Sequence, residues 1–301
     1  MAYQDIKIPR FYCNVLEFLH TVDKIDLGSA ADLFMTLPVL NQQITNNTEF
    51  LVSPMMSLAR NFYAILNWDG ADINIITNQS DFVDNLNIAG GGSYGKSGFI
   101  INKFTENIED IILHGKGGSL ITGTYYDMDQ SPNLSLTMER QYSHSEETIS
   151  YNGSSFSNTM GENTPPAWGD LGAWELAEAG TTDTMTQSGR RVWSLEFSFL
   201  DSKNIFGSNQ MVGNVMVTED GYDSNDILDD TFKFNLLTDD NFFSQVYHRT
   251  LGGTIPFIFQ PDNDYTESDG FAIARIKDNS IKLKQTAPNY YDISMVIEET
   301  F

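Results

Sequence analysis

The chain has 301 residues, of which 41% are apolar and 12% aromatic, enough to build a sizeable hydrophobic core. Its 41 acidic and 17 basic residues give a formal net charge of −24. Such a surface repels nucleic-acid phosphates, which argues against direct DNA or RNA binding. The single cysteine, Cys13, excludes an intrachain disulfide framework. Because the first residues lack a signal-peptide core and no apolar run reaches about 18 residues, we expect synthesis in a cytoplasm and no membrane insertion.

Residues 1–50 are predicted to form an N-terminal arm. Pro9 restricts Ile8 to extended backbone, so the arm starts as an extended chain. Periodicity does not decide whether residues 15–20 continue as a strand or as a short helix. Many apolar side chains of this segment have no local partner, so we expect the arm to pack on the main body or on a neighbouring subunit.

Residues 51–189 are predicted to form a β-sandwich-like domain with long loops. Short apolar runs separated by turn residues are typical of that architecture. They fall at residues 61–67, 73–76, 98–104, 108–113 and 120–126. Residues 127–189 are rich in Ser, Thr, Gly and Asn and indicate surface loop, with strand pieces at 134–138 and at Tyr142 and Ile149.

Residues 190–301 are predicted to form a second β-domain with one helix over residues 239–252. The run from Arg190 to Leu200 alternates between polar and apolar residues, which indicates a half-buried strand. Asp239 or Asp240 can cap the helix, and Gly252 and Gly253 can end it. The apolar residues predicted for the core of this unit are Trp193, Leu195, Phe197, Phe243, Val246, Phe257 and Phe259.

One sequence pattern matches a nucleotide-binding motif letter for letter. Gly90–Ser97 reads GGGSYGKS and fits G-x-x-x-x-G-K-[ST]. A P-loop requires a helix after this pattern, whereas residues 98–101 are strand-like and begin with glycine. A glycine-rich hairpin or loop is the favoured interpretation, and we expect no bound cofactor.

No catalytic or metal-binding set emerges from the sequence. The acidic run Glu219–Asp230 could attract Ca²⁺ but departs from EF-hand spacing, so a solvated loop is favoured. The four histidines do not pair at helical spacing, which gives no support for a zinc site. A glycosidase carboxylate pair stays open, because its geometry is not written in sequence. We therefore expect that the protein is not an enzyme.

The last third of the chain resembles a known family. An alternating strand with tryptophan (191–197), a helix with paired aromatics leading into Thr250–Phe259, and a final strand ending Glu298-Glu299 are similar to the distal tail and tail-tip proteins of tailed bacteriophages, including lambda-like minor tail proteins. Residues 61–67 also resemble a segment common in sandwich-fold phage virion proteins. The chain departs from the family pattern by an insertion at 201–238.

The resemblance implies a mainly β fold of β-sandwich domains, in which the C-terminal one is tail-tube-like with a flanking helix. It also implies a structural virion protein of the phage tail, whose copies form a ring that joins the tail tube to the baseplate or fibre proteins. Acidity would suit a ring whose lumen passes DNA, because repulsion prevents sticking. The alternative is a carbohydrate- or receptor-binding module of a tail, with Trp168 and Trp174 as exposed stacking residues; an enzyme is the least favoured reading.

Overall fold

The computed structural model describes residues 5–36, 48–51, 61–66, 69–77, 99–103, 108–116, 119–133, 137–141, 145–159, 190–205, 240–266, 270–279 and 281–300. Its strands are β1 (Arg10–Asn14), β2 (Thr48–Leu51), β3 (Phe62–Leu66), β4 (Asp69–Thr77), β5 (Phe99–Lys103), β6 (Ile108–Lys116), β7 (Ser119–Asp127), β8 (Thr137–Gln141), β9 (Ser145–Ile149), β10 (Ser155–Thr159), β11 (Arg190–Asp201), β12 (Phe257–Gln260), β13 (Ala272–Ile276), β14 (Lys282–Ala287) and β15 (Tyr290–Glu299). Its helices are α1 (Val15–Thr21), α2 (Ser202–Ile205), two 3-10 helices (Gly28–Phe34 and Lys277–Asn279) and one π-helix (Phe243–His248).

Most strands belong to one ten-stranded sheet. Its order is β5-β3-β7-β1-β12-β13-β15-β11-β8, and β14 pairs with β15 beside β13. Neighbouring strands run antiparallel throughout this sheet. A three-stranded sheet (β2-β6-β4) and a two-stranded sheet (β10-β9) are separate from it. The prediction of a mainly β protein is therefore confirmed, while the facing pair of sheets that defines a sandwich stays a prediction.

The first strand lies in the interior of this sheet and is not peripheral. Strand β1 pairs with β7 on one side and with β12 on the other, and all five of its residues are buried. Strands from the three predicted segments 1–50, 51–189 and 190–301 thus share one sheet. The physical reason is the apolar run Phe11–Cys13, which finds partners on both faces of the sheet.

The centre of the sheet carries apolar side chains on both faces. Phe11 and Cys13 point to one face with Phe257 and Phe259, whereas Tyr12 points to the other. This follows from the two-residue repeat of a strand, which sends successive side chains to opposite faces. A continuous apolar run is the sequence form of a strand buried on both faces, and β1 and β12 both have it.

The helix predicted over 239–252 is a short π-helix between turns. The side chain of Asn241 accepts from the backbone N–H of Ser244 at 2.9 Å, so Asn241 supplies the cap that was predicted for Asp239 or Asp240. Asp239 lies outside the described residues, and Asp240 is exposed. Leu251, Gly252 and Gly253 all have positive φ, which is the left-handed ending expected of the glycine pair.

Candidate assembly surfaces

The β-hairpin β9–β10 forms a two-stranded sheet that is separate from the large sheet. Its strands pair from Ser145↔Thr159 to Ile149↔Ser155, and the turn contains Asn152-Gly153. Gly153 has a φ of 82°, and its N–H donates to the carbonyl of Ser150 at 2.9 Å. Asn-Gly is the strongest short-range signal for a two-stranded turn of this kind.

The hairpin exposes large apolar side chains on both of its faces and at its tip. Ile149 is 72% exposed, Phe156 is 62% exposed, and Tyr151 at the turn is fully exposed. Ile149 pairs with Ser155 and Phe156 pairs with Thr148, so the two apolar side chains point to opposite faces. Among the residues that the structure describes, none of the core clusters covers either face of the hairpin tip.

Further exposed apolar side chains lie on β11, β14 and β15. They are Phe199, Leu283 and Tyr290, which are 67%, 38% and 43% exposed. Phe199 sits at a β-bulge, where the register of β11 against β15 shifts between Phe197 and Leu200. It has a φ of 59°, an uncommon conformation for a bulky residue. Its N–H donates to Asp292 Oδ1 at 3.1 Å, which holds the bulge against β15.

Strand β14 is an exposed, basic edge of the sheet. Its sequence is KLKQTA, and its first five residues are exposed. Among the strands that the structure describes, its sole partner is β15, with Lys282 opposite Ser294 and Lys284 opposite Asp292. An unpaired edge presents backbone N–H and C=O groups that can bind another strand. In a chain of formal net charge −24, a basic edge of this kind is unusual.

The end of β8 that precedes the hairpin and the Ala287 end of β14 lie at opposite ends of β11. Strand β8, which precedes the hairpin, ends with Gln141 opposite Arg190, the first residue of β11. The last residue of β11, Asp201, is opposite Tyr290, which also pairs with Ala287 of β14. β11 has 12 residues, so at about 3.3 Å per residue roughly 35 Å separates the two ends.

A buried ion pair fixes the register between β11 and β15. The guanidinium of Arg191 donates to Glu299 Oε1 from Nε at 3.0 Å and from Nη2 at 2.7 Å, and both side chains are 1% exposed. Glu299 Oε2 also accepts the backbone N–H of Arg191 at 2.8 Å. The guanidinium lies 5.2 Å from the ring centroid of Trp193, a cation–π distance. Hydrogen bonds between two charged groups are shorter and stronger than those between neutral groups, so the carboxylate holds both the backbone and the guanidinium of Arg191.

The π-helix is held on the sheet by a buried polar cluster. Arg249 Nη1 donates to Thr124 Oγ1 in β7, and Thr124 Oγ1 donates to Gln245 Oε1 at 2.9 Å. Burial lowers the pKa of Arg249 to about 10 and raises that of the nearby Cys13 thiol to about 12. Cys13 is therefore an inert core thiol, because the thiolate is the reactive form. The cluster therefore holds the π-helix in place against β7.

A second polar cluster ties α1 to the segment that follows it. Asn14 Oδ1 accepts from the N–H groups of Leu16 and Glu17, which caps α1. Glu17 accepts from the backbone N–H of Thr36 at 2.9 Å and from its hydroxyl at 2.5 Å. Burial raises the pKa of Glu17, although these hydrogen bonds act in the opposite direction.

The residues that the sequence analysis assigned to the core have the following positions. Trp193, Leu195, Phe197, Val246, Phe257 and Phe259 are buried in one cluster, and the Trp193 and Phe259 ring centroids lie 5.1 Å apart. Phe243 is partly exposed, and its ring centroid lies 5.2 Å from that of Tyr247. Phe242, its neighbour in sequence, is the buried member of the aromatic pair. A helix turns about 100° per residue, so adjacent aromatics cannot both face the sheet.

Several sequence-based candidates fall on residues that the structure does not describe. They are Trp168 and Trp174, the P-loop-like run Gly90–Ser97, and the acidic run Glu219–Asp230. The carbohydrate-binding alternative based on the two tryptophans stays a prediction. Within the described residues, no group of three His, Cys, Asp or Glu is placed to hold a metal ion.

Sequence reasoning missed the hairpin and the β14 edge as surfaces. The segment 127–189 was expected to be mostly loop, although Asn152-Gly153 between two short runs is itself a hairpin signal. Residues 281–284 alternate between apolar residues and lysine, which predicts a further strand of the sheet, and β14 is that strand at an edge. Its lysines at alternate positions were the available sign of an edge strand.

Comparisons with protein-family models, with curated proteins and with solved structures find no match to this chain. In the part of the chain that the structure describes, no helix has both the length and the apolar character needed to span a membrane.

Proposed function

We propose that this chain is a structural protein of a bacteriophage tail whose copies assemble into a ring between the tail tube and the distal parts of the tail. The proposal rests on the resemblance of residues 190–301 to distal tail and tail-tip proteins. The mainly β fold and the helix packed on the sheet are compatible with it. The expected partners are further copies of the chain, the tail tube and baseplate or fibre proteins.

The observation that carries the proposal is the apolar hairpin β9–β10. A two-stranded hairpin is marginally stable alone in water, and this one has no second sheet neighbour among the described strands. Burying an Ile or Phe side chain stabilises a protein by about 1.5–3 kcal/mol, so leaving Ile149 and Phe156 in water forgoes a large stabilisation. Exposed apolar surface of this kind marks a site of protein–protein contact.

Both ends of the large sheet also end in strands that a neighbour can cover. Among the strands that the structure describes, β5 is the last at one end and β8 is the last at the other. Edge strands are normally protected, and contacts between neighbouring subunits of a ring protect them. Contacts between two different surfaces of identical subunits generate rings when the rotation between subunits closes.

The net charge fits the same role. A formal charge of −24 on each subunit gives the assembly a strongly negative field. Phosphates of DNA in a ring lumen would be repelled by such a field and would not stick.

The first experiment is the mass and shape of the purified full chain in solution. Light scattering across a range of protein concentrations, together with negative-stain images, should show rings or a concentration-dependent oligomer. The Phe156→Ser variant should shift the oligomer towards monomer with an unchanged circular dichroism spectrum, since Phe156 lies outside the core. Ser157→Ala, one residue away in the same strand, is the matched control and should assemble normally.

A chain that stays monomeric at all concentrations, and that also fails to bind isolated tail tubes, would refute the proposal. A monomer that binds tubes would instead place the ring on the tube as its template. Assembly with equal strength by the wild type and the Phe156→Ser variant would show that the hairpin is not the contact.

A further inference from the structure

We propose that strand β14 (Lys282–Ala287) is a docking edge that binds an extended acidic segment of a partner protein as an added β-strand. In the segment that fits this edge, carboxylate side chains alternate with apolar ones. The features of β14 alone support this docking edge, whether or not the chain belongs to a phage tail.

The outer backbone edge of β14 has no partner strand among the residues that the structure describes. Strand β14 pairs with β15 from Lys282↔Ser294 to Ala287↔Tyr290, and no backbone hydrogen bond joins it to another described segment. In an antiparallel pair, alternate residues turn their N–H and C=O groups away from the partner strand. The first five residues of β14 are exposed, so these outward groups are accessible to a further strand.

The two faces of β14 differ in chemical character. Leu283 is 38% exposed and lies opposite Ile293 of β15, which is fully buried, so Leu283 stands at the rim of the core. Lys282 and Lys284 point to the opposite face, because successive side chains of a strand alternate. A strand added beside β14 would therefore place every second side chain next to the lysines and the intervening ones next to Leu283.

The two lysines of β14 have no ion-pair partner in the part of the chain that the structure describes. By contrast, Lys7, Lys203 and Lys277 lie 3.0, 3.5 and 3.8 Å from a carboxylate oxygen. The chain has a formal net charge of −24, yet it supplies no counter-charge at this edge. A partner that brings carboxylates to β14 would supply it.

The lysines make the edge selective. Lysine on an edge strand normally protects the edge against pairing with other strands. A strand with carboxylates at alternate positions is the exception, because opposite charges directly across a strand pair attract each other. The β14 edges of two copies repel each other, and the acidic remainder of the surface repels an acidic segment. Backbone pairing along β14 supplies affinity, and the apolar residues of the segment cover Leu283.

Fluorescence anisotropy with labelled peptides tests the edge on the full chain. The probe is a short capped peptide in which glutamate alternates with valine, and it should bind. Two control peptides should bind at least roughly tenfold more weakly. In one, glutamine replaces every glutamate. The other has the composition of the probe but groups the glutamates together, so that they cannot all lie on one face of a strand.

Charge reversal on β14 locates the binding site. Lys282→Glu should weaken binding of the glutamate peptide at least roughly tenfold, because like charges then face each other. Lys24→Glu, at an exposed lysine of another segment, makes the same change in net charge and should bind the peptide as the wild type does. Lys282→Glu combined with Lys284→Glu should instead prefer a peptide in which lysine alternates with valine. Circular dichroism should be unchanged in all three variants, since these lysines are exposed.

Amide hydrogen exchange distinguishes strand pairing from a loose ionic contact. Saturating glutamate peptide should slow exchange in residues 282–287, because N–H groups that faced water then donate to the added strand. Binding without this protection would overturn the proposal, as would binding that Lys282→Glu leaves undiminished or no binding at the highest soluble concentration. Protection of 282–287 that rises with chain concentration in the absence of peptide would show that a second copy occupies the edge, and would overturn a partner protein as the occupant. Ring formation, measured by light scattering, is a separate test of the proposed function.

Discussion

The buried pair of Arg191 and Glu299 offers the sharpest test of how this fold is held together. Replacing Glu299 with Gln keeps the shape of the side chain and removes its charge. The guanidinium of Arg191 is 1% exposed, so it would lose its buried carboxylate partner while it keeps the carbonyl of Phe271 at 2.8 Å and the ring of Trp193. We expect the free energy of unfolding to fall.

The size of the loss follows from the contacts that lose their charged acceptor. Glu299 accepts two hydrogen bonds from the guanidinium and one from the backbone N–H of Arg191. A hydrogen bond to a charged group contributes about 1.5–3 kcal/mol, and removing one partner of a buried pair typically costs about 3–5 kcal/mol. We therefore expect Glu299→Gln to cost about 3–5 kcal/mol. Urea unfolding followed by tryptophan fluorescence measures it, because Trp193 lies beside the pair.

A double-mutant cycle separates the pair from its surroundings. Arg191→Met combined with Glu299→Leu removes both charges together, and well-packed apolar replacements of buried pairs are often neutral. The double variant should therefore be more stable than either single variant, Arg191→Met or Glu299→Leu, with a coupling energy of about 3 kcal/mol between the two substitutions. A loss below about 1 kcal/mol for Glu299→Gln, or additive effects in the cycle, would show that the pair is solvated and would refute this reasoning.

Four further results are expected. A Cβ at Gly123 would lie 2.0 Å from the carbonyl oxygen of Cys13, so Gly123→Ala should cost about 1–3 kcal/mol or more in urea unfolding; an unchanged midpoint would contradict the close approach of β1 and β7. Burial raises the pKa of Glu17 above 4.5, so its contribution to the free energy of unfolding is present below pH 4.5 and is lost as the pH rises through the raised pKa. The Glu17→Gln variant should lack that decline. Parallel profiles of unfolding free energy against pH for the two proteins would contradict this prediction. Asparagine tolerates a positive φ better than phenylalanine, so Phe199→Asn should raise the free energy of unfolding by up to about 1 kcal/mol. Sedimentation of the same variant should show weaker assembly. A lower free energy of unfolding would contradict the proposed backbone strain at Phe199. Raising the salt from about 10 to 100 mM shortens the Debye length from about 30 to 10 Å, which screens the repulsion between the negatively charged subunits. Light scattering should therefore show stronger assembly at the higher salt concentration. Steadily weaker assembly would show that attraction between opposite charges at the contact outweighs this repulsion.

Strand β11 was predictable from sequence, because its apolar and polar residues alternate as they do in a strand with one buried face. Trp193, Leu195 and Phe197 all lie on the buried face, and Ser194 and Glu196 are exposed. The bulge at Phe199 was not predictable, since it depends on the partner strand and on Asp292. Local periodicity describes a strand's faces, whereas register irregularities depend on the pairing between strands.

Strand β1 shows why the place of an element can be missed even when its extended form is recognised. Arg10 and Asn14 make the segment look polar at its ends, yet both are buried. Asp127 holds Arg10 through Nη2–Oδ2 at 2.7 Å, and Asn14 Nδ2 donates to the carbonyl of Phe34 at 2.6 Å. Buried polar groups require such partners. Asp127 is far away in sequence, so no local pattern can reveal this pairing.

The assembly surfaces were the least predictable part, for a related reason. In sequence, strands β9 and β10 resemble a polar loop, because the single apolar side chain on each strand cannot form a core face. A two-stranded hairpin is only marginally stable alone in water, and the surface that would stabilise it is not adjacent to it in the sequence. Its Asn-Gly turn could be recognised in sequence, whereas the exposure of its apolar side chains on both faces is visible only in the fold.

Strand β15 connects the buried core to the exposed β14 edge of the sheet. It pairs with β11 on one side and with both β13 and β14 on the other, so its register sets the position of the β14 edge relative to β11. A slip of one residue would turn every side chain of a strand to the opposite face. The Arg191–Glu299 pair opposes such a slip, because Glu299 bonds both the backbone and the side chain of Arg191. By this argument the position of the exposed β14 edge depends on an ion pair that is buried near the other end of β15.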